Sequence, residues 1–126
     1  MRLIIILASF LSLTANASCF VVSDLKGMSS RQAGDFKIDN DGISAQKFLI
    51  ELKGEDSRVS PNNMRCFQAG ASTLLCAATG SKGESTVETW SLYPERKTVV
   101  YTKSINGYGP LNGANLFVGK IKARCD

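Results

Sequence analysis

The chain is 126 residues long, formally +4 at neutral pH, and contains four cysteines and no histidine. So small a positive excess does not mark a nucleic-acid binder. The absence of histidine removes the commonest general base and metal ligand, together with every Ser–His and Cys–His nucleophile system.

Met1 and Arg2 precede an apolar run, Leu3 to Leu13, and Ala15-Asn16-Ala17 follows with the small–x–small pattern of a secretory cleavage site. A run this short does not comfortably span a bilayer as an anchor helix. Cys19 stands close enough behind it to raise lipoprotein processing, but Asn16 occupies the place where a bulky aliphatic residue is wanted. The reading is a secretory signal peptide over residues 1–17 and a single β domain over 18–126, located in the periplasm or outside the cell. Losing Arg2 with the signal peptide trims the charge to about +3.

Cys19, Cys66, Cys76 and Cys125 all lie in the exported part. An even count in a small secreted chain reads as two disulfides. A metal site is the rival, yet no CxxC pair and no histidine is present to build one. Cys66 and Cys76 are placed symmetrically about Ala71, with Gly70 and Ser72 at the same centre. A hairpin turning there sets the two sulfurs across from each other. That pairing leaves Cys19 for Cys125, a clasp around nearly the whole domain.

Strands are expected in order at Phe20–Lys26, ending at Gly27, and at Asp35–Ile38, followed by an Asp39-Asn40-Asp41-Gly42 turn. Residues 44–53 fit both periods: Phe48, Ile50 and Leu52 alternate as in a strand, while Ala45, Leu49 and Leu52 would line a helix. The β neighbours and the Gly54-Glu55-Asp56 turn favour the strand. Ser57–Ser60, Met64–Gln68, Thr73–Thr79, Ser85–Tyr93, Thr98–Ile105 and Asn115–Arg124 complete an all-β set, an antiparallel barrel or sandwich of about eight strands. The Pro94-Glu95-Arg96-Lys97 loop fixes a register in which Trp90 faces Tyr101, Leu92 faces Val99 and Glu88 faces Lys103. Trp90, Leu92, Val99 and Tyr101 then share one apolar face, which makes this hairpin core rather than a recognition surface.

Asp35, Asp39 and Asp41 cluster, but the last two are expected to serve the turn. An EF-hand fails because Lys37 and Phe48 stand at ligand positions. No phosphate or dinucleotide loop motif occurs, so neither a cofactor nor a metal is expected.

Three features offer contact residues. Lys120, Lys122 and Arg124 alternate with Phe117, Gly119, Ile121, Ala123 and Cys125, giving a basic outward stripe for an anionic protein, glycan or lipid headgroup, or else a charged face that protects a sheet edge. Tyr108, between glycines on the loop from Ile105 to Gly113, is either a recognition residue or part of a lid that folds with Leu111 over a barrel end. Lys82 projects from the Ser81–Glu84 turn, which is otherwise an ordinary hairpin tip.

Export, two staples, small β architecture and the lack of a catalytic set together resemble the small periplasmic barrels that inhibit lysozymes. The likeness is one of architecture. The expected function is a non-catalytic binding protein, an inhibitor or immunity protein against an envelope-acting enzyme, with another protein or an anionic glycan as partner. A barrel holding a small ligand or glycan near Trp90 and Tyr101 is the alternative, and an enzyme built on carboxylates a third reading.

Overall fold

Alternation of apolar and polar residues carries most of residues 17–126, the part described by this computed structural model, into strands. All but Ala17 of the expected signal peptide lies outside the described residues. The strands are β1 (Ser18–Arg31), β2 (Ile38–Ile43), β3 (Phe48–Leu52), β4 (Arg58–Ser60), β5 (Arg65–Ala69), β6 (Thr73–Thr79), β7 (Ser85–Tyr93), β8 (Thr98–Asn106) and β9 (Gly113–Arg124). They pair antiparallel in the order β4-β3-β1-β9-β8-β7-β6-β5, a nearly closed barrel-like sheet with its seam between β4 and β5, while β2 pairs with β1. Within residues 44–53 the strand reading holds for Phe48–Leu52: β3 pairs with Ser18–Val22 and β2 with Leu25–Ser30, so the two lie end to end along one edge of β1.

Both disulfides form as expected, Cys66–Cys76 within the β5–β6 hairpin and Cys19–Cys125 between the two ends of the domain. The β7–β8 register matches the sequence reading residue for residue: Trp90 faces Tyr101, Leu92 faces Val99, and Glu88 faces Lys103. Cross-strand pairing continues these contacts around the interior in layers. One layer runs Leu92, Val99, Gly119; the next runs Trp90, Tyr101, Phe117, Gly27. Phe48, Trp90, Tyr101 and Phe117 stack in series with ring centroids 5.0, 4.3 and 5.9 Å apart. Each such pair contributes about 0.5–1.5 kcal/mol beyond the area it buries.

Three expectations about the first two strands differ from the structure. The first strand does not stop at Gly27 but runs to Arg31, because Gly27 sits inside the ladder where a Cβ would strike the Leu116 carbonyl. Of the expected Asp35–Ile38 strand only Ile38, the first residue of β2, is extended in the sheet: Asp35 and Phe36 both take left-handed backbone angles, φ 53° and 59°, in the turn that reverses the chain after Gln32–Gly34. Asp39-Asn40-Asp41-Gly42 is not a turn but the body of β2, paired with Lys26–Ser29; the ladder offered by β1 outweighs the local turn preference.

Two β-bulges bend β1 against β9. Asp24 and Leu25 stand together opposite Gly119, with Asp24 at φ 59°, and Lys122 is the extra residue between Ile121 and Ala123. A Cβ on Gly119 would come within 2.6 Å of Leu25 Cδ2, so the glycine makes the space into which the bulge turns Leu25. The second bulge corrects the expected last strand. Beyond Lys122 the alternation inverts: Ala123 and Cys125 are exposed, while Arg124 pairs with Phe20 and its guanidinium lies 5.0 Å over the Phe20 ring.

Candidate functional site

The structure separates the residues that the sequence singled out. Tyr108 follows the end of β8 and Lys82 sits in the β6–β7 turn, so both project from the same end of the barrel. The two loops touch, since a Cβ on Gly107 would meet Glu84 Cα at 2.8 Å. Lys120 faces Thr98 at the other end of β8, roughly 25 Å away at the rise of an extended strand. Nor do the three basic residues form a stripe. Lys122 Nζ lies 2.7 Å from Asp24, Arg124 pairs with Asp126, and Lys120 alone of the three has no ion pair among the described residues.

Tyr108 is held out by its neighbours rather than folded in. Its backbone N–H donates to Asn112 Oδ1 at 2.7 Å, and the Asn112 amide donates to Gln32 Oε1 at 3.0 Å. The Gln32 N–H in turn donates to the Asn112 carbonyl at 2.8 Å, tying this loop to the β1–β2 turn. Tyr108 and Leu111 are 42% and 62% exposed, so neither closes over the barrel end as a lid. Phe36 and Ile38, at 55% and 68%, stand on the adjoining turn and strand. Sequence reading missed both, although an aromatic directly after Gly34-Asp35 was a usable sign that the turn displays its side chain. The result is an end carrying four exposed large apolar side chains with Lys82 nearby.

Below this end the barrel interior becomes polar. The layer above Trp90 and Tyr101 runs Glu88, Lys103, Asn115, Ser29 and Asp39 across five strands. Glu88 is buried, and accepts hydrogen bonds from Trp90 Nε1 at 3.3 Å and Asn62 Nδ2 at 2.8 Å, with Lys103 Nζ 3.7 Å away. Asn62 also accepts from the Met64 N–H, so the β4–β5 loop folds across the mouth and plugs it with Met64 against the core. Burial, then the Glu88 carboxylate beside it, pushes the Tyr101 phenol far above the usual tyrosine range. Arg31 donates to Asn115 Oδ1, which continues the network to β1.

The interior near Trp90 and Tyr101 is therefore filled by side chains. Open grooves lie elsewhere: one of about 590 Å³ beside Glu55, Phe67 and Gln68, one of about 510 Å³ at the Tyr108 end beside Phe36, Ile105 and Asn112, and one of about 470 Å³ along the seam between Glu51, Arg58, Met64 and Arg65. Among the described residues no helix is long and apolar enough to cross a membrane. The two disulfides are consistent with an oxidising, extracytoplasmic compartment. Comparison with protein-family models, curated proteins and solved structures finds no match.

Proposed function

We propose that the protein is an exported, non-catalytic binding protein, periplasmic or secreted, that grips another protein through the end bearing Tyr108 and Lys82. An inhibitor or immunity protein against an envelope-acting enzyme fits this description. The observation that carries the reading is the pinned Tyr108 loop. A large side chain is presented to solvent on a backbone tied to its own loop and to the neighbouring turn, so little conformational freedom remains to be lost on binding. Lys82 stands on the adjoining turn and adds a charge to the same end. The filled aromatic interior favours this reading over a small-ligand or glycan barrel.

The test is capture from envelope extract with the mature, oxidised protein, followed by affinity measurement on the purified partner and assay of its activity. Tyr108→Ala should weaken binding at least about tenfold, the behaviour of an aromatic anchor, and Lys82→Ala by less. If no partner is enriched, or if the double variant binds like wild type, the reading is overturned.

A further inference from the structure

Towards the Tyr108 end the barrel's polarity is reversed. A water-soluble barrel buries apolar side chains inside and shows polar ones outside, and the middle of this barrel obeys that rule. Above the Trp90–Tyr101 layer, however, the inward positions are Glu88, Lys103, Asn115, Ser29 and Asp39. The outward positions in the same stretch are apolar or hydroxyl-bearing except for Asn40 and Lys26. Met28 lies directly across from Leu116, Val118 is next to it along β9, and Ile38 lies across from Ser30. Met28, Leu116, Val118 and Ile38 are 44%, 45%, 48% and 68% exposed. Three outward positions on each of β2, β1, β9, β8 and β7 make up this field, and only Lys26 among them is charged.

On β1 and β9 beside the field the outward charges without an ion pair among the described residues are lysines, and the one carboxylate there, Asp24, is paired with Lys122. Lys26 faces Val118, and Lys120 is the next outward residue along β9. Among the described residues the outward side of β5 to β9 bears no carboxylate; Asp39 and Asp41 of β2 point to the concave side. Polar inside and apolar outside is the pattern of a barrel whose outer surface meets an apolar medium. A lipid-spanning barrel needs about nine to eleven residues per strand, and β4 and β5 have three and five. The face therefore suits a surface-lying contact rather than a membrane span.

We propose that this face, centred on Met28 and Leu116, docks on an anionic lipid bilayer, with Lys26 and Lys120 at the headgroups. A second copy of the chain is the poorer occupant, because Lys26 and Lys120, which have no ion pair among the described residues, would meet their own like charges.

Vesicle co-sedimentation of the mature, oxidised protein tests this, comparing phosphatidylglycerol–phosphatidylcholine vesicles with phosphatidylcholine alone. Binding is expected to the anionic vesicles. Met28→Ser with Leu116→Ser should lower the partition coefficient at least about tenfold, with the near-ultraviolet circular dichroism of Trp90 checking the fold. Lys26→Gln and Lys120→Gln, both on exposed side chains, should each lower it roughly fivefold without touching the apolar patch. Absence of binding to the anionic vesicles, unchanged binding by both sets of variants, or a concentration-dependent dimer that the Met28→Ser, Leu116→Ser variant abolishes would each overturn the proposal.

Discussion

Asp24 and Lys122 meet side chain to side chain at 2.7 Å, and they belong to the two β-bulges, one on β1 and one on β9. The ion pair thus joins the irregularities that curve this strand pair. The hydrogen bond from Lys122 holds the Asp24 carboxyl below its ordinary range. A lowered native-state value stabilises the fold above the unfolded-chain value, about 3.9, and that contribution is lost as pH falls through the native value. Asp24→Asn keeps a residue that tolerates left-handed angles and removes only the charge. It should lower the melting temperature at pH 7, less in high salt, and by a shrinking amount as pH falls below about 3.9. Thermal denaturation across pH checks this.

Gly119 is the space that the first bulge needs. Gly119→Ala should destabilise the fold by about 1–3 kcal/mol, the range for forced overpacking, as measured by urea unfolding. Leu25→Ala costs stability of its own by opening a cavity, but combined with Gly119→Ala the losses should fall short of their sum. Additive losses would mean that the two side chains do not compete for the same volume.

Glu88 serves two donors at once, the Trp90 indole and the Asn62 amide. Glu88→Ala leaves both without their acceptor and should cost about 2–3 kcal/mol, with a shift in Trp90 emission. Glu88→Gln retains an acceptor oxygen and should cost less. Equal losses in the two variants would show that the charge, through Lys103, and not the hydrogen bonds, is what matters there.

The two disulfides close loops of very different size, with sequence separations of 106 and 10. On chain entropy alone the Cys19–Cys125 bond contributes about 5 kcal/mol and the Cys66–Cys76 bond about 3 kcal/mol. Replacing Cys19 and Cys125 by serine should therefore lower the urea midpoint further than replacing Cys66 and Cys76. The reverse order would place the main effect in the native hairpin.

Local signals foretold the parts of the fold that local signals control. The β7–β8 register follows from one Pro-led loop and a clean alternation, and the Cys66–Cys76 pairing from symmetry about a small-residue turn. The bulges at Asp24 and Lys122 follow from no local signal, because they exist to fit β1 against a strand almost a hundred residues away. The same holds for β2. Asp39-Asn40-Asp41-Gly42 carries strong turn chemistry, and only the free edge of β1 makes it a strand. For the candidate site, Tyr108 and Lys82 were legible as exposed loop residues. Their shared end was not, and neither was Arg124's turn towards Phe20, because both depend on register shifts and pairing that alternation alone does not carry.

The Cys19–Cys125 bond also makes the domain a covalent ring: every strand residue but Ser18 and Cys19 of β1 falls between the two cysteines, and the Cys125 N–H donates to the Cys19 carbonyl at 3.0 Å. A protease that cuts the exposed turn at Lys82 would leave Cys19 on one piece and Cys125 on the other. The pieces stay one molecule until they are reduced. A single surface nick therefore opens the ring without releasing a fragment, and the cleaved ends at Lys82 would lie beside the Tyr108 loop.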